Sequence, residues 1–96
     1  MENPSVAVVT PTYNERENLA ELVERIFGLK ISNLKLVVVD DNSPDDTGEL
    51  AQELSKKYPI RVIRRKSKMG LGTAYAEAFR TILNLKTKPE FIIQMD

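Results

Sequence analysis

The sequence contains no cysteine and no histidine. The first absence rules out a disulfide framework and thiolate chemistry. The second rules out a histidine general base or a histidine metal ligand within this chain. An excess of charge is missing too: 14 basic and 14 acidic residues cancel, so bulk electrostatics points to no nucleic-acid partner. No apolar run approaches the roughly 20 residues that a membrane-spanning helix needs. Met1-Glu2-Asn3-Pro4 does not lead from a basic segment into a long apolar one, so no signal peptide is expected and a cytoplasm-facing, soluble chain is. What is there is 96 residues, 42% hydrophobic and 29% charged, enough for one small domain with a packed core.

The chain is organised around Leu36–Asp46. Leu36–Val39 is a short unbroken apolar run rich in β-branched side chains, the pattern of a strand buried on both faces of a parallel sheet. It ends in Asp40 and Asp41, followed by Asn42. Ser43-Pro44-Asp45-Asp46 reads as a helix start, with Ser43 as N-cap, Pro44 at the first helical position and acids in the first turn. That helix is expected to run to about Lys57 with Leu50, Ala51 and Leu54 inward. A buried strand therefore ends in carboxylates on a short loop, the position at which open α/β sheets bind ligands.

The other elements follow from the same signals. Ser5–Thr10 is apolar and β-branched and predicts a first strand, with Pro11-Thr12-Tyr13 as a loop because proline cannot donate to a ladder. Asn14 and Glu17 have the spacing of a capping box. Leu19, Leu22, Val23, Ile26 and Phe27 then form a helical stripe that Gly28 stops. The second strand is expected over Lys35–Val39. Tyr58-Pro59 breaks the second helix, and Ile60–Arg64 alternates in the manner of an edge strand. A basic, glycine-containing loop over Arg65–Gly72 precedes a third helix carrying Ala74, Tyr75, Ala78, Phe79, Ile82 and Leu83, and Phe91–Met95 predicts a fourth strand. The β-α-β-α-β-α-β order with right-handed crossovers implies a Rossmann-like three-layer α/β/α fold, its parallel sheet ordered 3-2-1-4. The loops after strands one and two, together with Asp96 after strand four, then face one crevice.

Asp40 and Asp41 could be solvated acids that favour a helix dipole, but Ser43, Asp45 and Asp46 already fill that role, which favours function for the pair. Tyr13 offers a flat ring and a hydroxyl where a base could stack, and Glu15 sits at a helix N-terminus. Pro11, Tyr13 and Glu15 are equally ordinary turn residues. Gly70-Leu71-Gly72 begins like a dinucleotide fingerprint, but Tyr75 holds the third glycine position and the motif follows the third strand, so the dehydrogenase reading is weak. The cluster Arg61, Arg64, Arg65, Lys66 and Lys68 reads mainly as a solvated edge that discourages strand pairing, with Lys68 retained as a diphosphate contact. Asp96 closes a strand beside the other loops and is a candidate anchor for Mg²⁺ or Mn²⁺, hard cations that take carboxylate oxygens.

Val9-Thr10-Pro11-Thr12-Tyr13-Asn14-Glu15, Val38-Val39-Asp40-Asp41-Asn42-Ser43-Pro44-Asp45 and Gln94-Met95-Asp96 together resemble family 2 glycosyltransferases, above all the dolichyl- or polyprenyl-phosphate mannose synthase branch. Arg16-Glu17-Asn18-Leu19 and the stretch from Arg64-Arg65 to Gly70-Leu71-Gly72 match that branch as well. The resemblance implies that the chain is the nucleotide-sugar-binding half of a GT-A domain, stopping short at Asp96. It implies that Pro11, Tyr13 and Glu15 contact the base and ribose. Val39 and one of Asp40 or Asp41 would complete the base pocket, Asp41 being the preferred polar contact. Asp96 would be the first acid of an Asp-X-Asp motif that holds the diphosphate with Mg²⁺ or Mn²⁺. The implied reaction of the parent protein is inverting transfer of a hexose, mannose from GDP-mannose, to a polyprenyl or dolichyl phosphate. Peripheral membrane association would come through the part that follows Asp96.

The second acid of Asp-X-Asp and the acceptor half are not in this sequence, so the chain by itself is expected to bind nucleotide and not to turn over. No catalytic residue is assigned. A receiver-like phosphoacceptor module would need acids after the first strand and an aspartate after the third; here those strands end in Thr10-Pro11 and Arg64-Arg65. A non-catalytic nucleotide-binding module is the other alternative.

Overall fold

The computed structural model describes residues 5–31, 33–66, 71–84 and 89–95; Lys68, Gly70 and Asp96 lie outside them. Four strands alternate with three helices: β1 (Val6–Thr12), α1 (Arg16–Gly28), β2 (Leu34–Asp40), α2 (Thr47–Leu54), β3 (Ile60–Arg64), α3 (Leu71–Leu83) and β4 (Phe91–Gln94). The sheet is parallel throughout, in the expected order β3-β2-β1-β4. Its register sets Thr12 beside Asp40 and Asp40 beside Arg64, so these three strands finish level with one another.

Alternation along the strands divides the core in two. Val8, Leu36 and Val38 pack against Leu19, Val23 and Ile26 of α1 and Ala51 of α2. Ala7, Val9, Val37 and Val39 pack on the opposite side against Ala74, Ala78 and Ile82 of α3. Leu36–Val39 are all fully buried, which explains their unbroken apolar run: both faces of β2 are covered. Burying one such Val or Leu contributes about 1.5–3 kcal/mol.

Several boundaries differ from the sequence reading. β1 continues through Pro11 to Thr12. Val9 O accepts from Met95 N, on the β4 side, while Thr12 O accepts from Asp41 N, on the β2 side. The nitrogen of Pro11 therefore points toward β4, beyond the paired residues Val6–Val9, where no ladder bond is lost. α2 starts at Thr47 and not at Pro44, because its N-cap Asp46 is left-handed, with φ 66°. α3 starts at Leu71, so Gly72 belongs to the helix and not to the preceding loop. Leu83, one of the apolar residues of the third helix, is exposed. β4 is open to solvent along its length: Phe91 is 56%, Ile92 38% and Ile93 48% exposed.

Candidate functional site

The two acids that end the β2 segment go to opposite layers. Asp40 is the last strand residue and is fully buried. Its Oδ1 accepts from Thr12 Oγ1 at 2.9 Å and from Ser43 Oγ at 2.6 Å, and its Oδ2 accepts from Ser43 N at 3.1 Å. A buried carboxylate is tolerated because these donors replace its water. Gly48, in the first turn of α2, completes the cradle. A Cβ there would meet Asp40 Oδ2 at 2.9 Å and Arg64 Nε at 2.7 Å, so only glycine leaves room.

Asp41 turns to the α3 side and makes a bidentate ion pair with Arg65, Nε–Oδ1 2.6 Å and Nη2–Oδ2 2.8 Å. Arg65 Nη1 also donates to Thr73 Oγ1 at 3.0 Å and lies 3.7 Å from Glu77 Oε2. The hydrogen-bonded Asp41 carboxylate holds the guanidinium above its ordinary pKa, burial working against it. Arg65 was read as part of a solvated basic edge; its side chain is in fact only 4% exposed, and the expectation holds for Arg61, Arg64 and Lys66. The signal lay in the register. If Asp40 is level with Arg64, the next residues, Asp41 and Arg65, are level too and share a face.

The β1–α1 loop is fastened to the β2–α2 loop. The capping box expected of Asn14 and Glu17 does not form: Asn14 is left-handed, with φ 55°, and the N-cap position falls on Glu15, which makes no side-chain cap bond. Instead Asn14 N donates to Ser43 Oγ at 3.0 Å, Glu15 N to Thr47 Oγ1 at 3.1 Å and Arg16 N to Asp45 Oδ2 at 3.1 Å. Ser43, read as the N-cap of α2, thus serves the other loop. Asp45 Oδ1 accepts from both the amide and the hydroxyl of Thr47. The Thr47 hydroxyl is the main reason that Asp45 is held below its ordinary pKa, with the amides of Arg16 and Thr47 adding to it.

Of the sequence-predicted site residues, Pro11 and Glu15 line one cleft of about 310 Å³ with Thr10, Thr12, Asn18, Leu19 and Leu22. Tyr13, just past the end of β1, is exposed, whereas Val39, level with Pro11, is fully buried. Asp41 is brought level with this loop, its amide bonded to Thr12 O at 3.2 Å. A second cleft, of about 510 Å³, runs past Arg65 between Arg64, Lys66, Thr73, Glu77 and Arg80. Among the described residues no group of three or more acidic side chains converges to hold a cation, and Asp40 and Asp41 are committed to the partners above. These residues by themselves do not fit a divalent metal, and the expected ligand, Asp96, is not among them.

The family model for glycosyl transferase family 2 matches residues 7–93. The chain belongs to that family. As a family 2 glycosyltransferase chain it is 57% identical, over 76 residues, to a dolichol-phosphate mannosyltransferase of Pyrococcus furiosus, covering 78% of this chain and 22% of that protein. It is 49% identical, over 74 residues, to a polyprenol monophosphomannose synthase of Mycolicibacterium smegmatis, covering 75% of this chain and 28% of that protein. Among solved structures, it matches a mannosyltransferase of Pyrobaculum calidifontis in complex with GDP-mannose and Mn²⁺, with TM-score 0.80, 25% identity and coverage of 96% of this chain and 27% of that one. The chain spans about a quarter of the length of these relatives. The shared fold is that of GT-A enzymes, as the sequence resemblance implied.

Proposed function

We propose that this chain is the nucleotide-binding part of a mannosyltransferase, in which the whole protein transfers mannose with inversion from GDP-mannose to a polyprenyl or dolichyl phosphate. The observation that carries the proposal is the 57% identity to a dolichol-phosphate mannosyltransferase. The chain's own residues supply the donor end. Tyr13 gives a ring for the base, and Pro11 and Glu15 face base and ribose from their cleft. Asp41, oriented by Arg65, retains lone pairs that accept base N–H groups. Val39 and Asp40 act from within the fold, beneath those contacts. Asp96 is proposed at the diphosphate. The acceptor phosphate is already an anion, so a site without histidine suits the reaction.

Titrating GDP and UDP into the chain, followed by amide NMR shifts, tests the donor site. Weak binding is expected to perturb Tyr13, Glu15 and Asp41; shifts confined to other elements would reject the assignment. Transfer itself is assigned to the whole protein. GDP-mannose, Mn²⁺ and a polyprenyl phosphate should give no glycolipid above background with this chain alone, and metal-dependent product would overturn that division.

A further inference from the structure

We infer that Asp40 and Ser43 are positioning residues, which set the conformation of the Tyr13–Glu15 loop without touching the ligand; the inference rests on the nucleotide-binding reading above. Asp40 is closed off from solvent, so no base or sugar reaches its carboxylate in this fold. Its oxygens accept from the amide and hydroxyl of Ser43, and the same Ser43 oxygen accepts from the amide of Asn14, 29 residues earlier. Asn14 is left-handed, a conformation uncommon outside glycine but one that asparagine tolerates, and the bond to Ser43 holds it there. The next two amides, of Glu15 and Arg16, are held by Thr47 and Asp45. Three successive amides of one loop thus bond to Ser43, Thr47 and Asp45 of the other segment, and the first of these acceptors is itself held by the carboxylate at the end of β2. Tyr13 and Glu15 take their directions from this backbone. The polarity is fixed: Ser43 donates its hydroxyl proton to Asp40 and keeps its lone pairs for Asn14. Both Asp40 oxygens accept, Oδ1 from the two hydroxyls and Oδ2 from the Ser43 amide; an asparagine there would set an N–H donor against that amide.

The test compares Ser43→Ala, Ser43→Thr and Asp40→Asn in the chain, reading melting temperature, exchange of the Asn14 amide and GDP affinity. Ser43→Ala and Asp40→Asn are expected to weaken GDP binding about tenfold, the effect of one lost hydrogen bond, and to speed Asn14 exchange. Ser43→Thr, which keeps the hydroxyl, should stay within about twofold of the unaltered chain. Ile26→Val serves as the control: it removes a methyl group from the core under α1, lowering the melting temperature without touching the loop, and it should keep full affinity. Equal loss of affinity in Ile26→Val and Ser43→Ala would reduce the effect to global stability and overturn the inference, as would unchanged Asn14 exchange in Ser43→Ala. If the unaltered chain takes up neither GDP nor UDP, the nucleotide reading fails and the positioning role falls with it. If it binds and Ser43→Ala binds equally well, only the positioning role falls.

Discussion

Gly48 occupies a helix turn where alanine would ordinarily be better by about 1 kcal/mol. Here the added carbon would press on Arg64, which can move, and on the Asp40 carboxylate, which three donors hold in place. Gly48→Ala is therefore expected to destabilise the chain by about 1–3 kcal/mol, the range for overpacking, seen as a lower urea midpoint with unchanged slope. The Asp41–Arg65 pair poses a different problem. Asp41→Ala takes its bidentate carboxylate partner from a buried guanidinium, Glu77 lying farther off at 3.7 Å, at a cost of about 3–5 kcal/mol. Joining Asp41→Leu to Arg65→Met removes both charges and should recover most of that loss in a denaturation curve. Weak nucleotide binding by Asp41→Ala would report on the site only at temperatures where that variant is shown to be folded.

At the level of elements, the N-terminus of α1 depends on another element for its capping. Its amides bond to side chains 29 and 32 residues away in sequence, which is why local spacing around Asn14 and Glu17 suggested a cap that does not form. Asp45 belongs to this junction, and the sign of its pH effect follows from its shift. Its folded pKa lies below the ordinary 3.8, so its contribution is present above that value and lost as pH falls through the folded one. Glu49, held down from 4.5 chiefly by its hydrogen bond from Arg64, behaves in the same way. The melting temperature should drop on acidification below about pH 4, and Asp45→Asn should flatten part of that drop. An identical acid limb in Asp45→Asn would exclude Asp45 as a contributor.

For the whole molecule, the two edges of the sheet are unequal. β3 presents exposed Arg61 and Arg64, charges that discourage strand pairing. β4 presents Phe91, Ile92 and Ile93 with no charge among them. Concentration-dependent self-association is expected in sedimentation velocity, and Ile92→Lys should reduce it. A monomer that stays monodisperse across a hundredfold range, about millimolar to ten micromolar, would contradict this. Strand order, helix faces and the burial of Leu36–Val39 were legible in the sequence because periodicity and connection handedness are local or general rules. The start of α2, the path of β1 through Pro11, the room left at Gly48 and the partner of Arg65 were not, since each depends on which residues arrive from a distant strand or loop.

Asp40 and Asp41 are the same side chain at consecutive positions, and nothing but odd-or-even count along β2 tells them apart. One carboxylate is addressed to the α1–α2 layer and the other to the α3 layer. Deleting or inserting a single apolar residue inside Leu36–Val39 would exchange the addresses while leaving the net charge as it was. β2 is thus a counting device as well as a core strand, and changes of length there carry a penalty that changes of side chain do not.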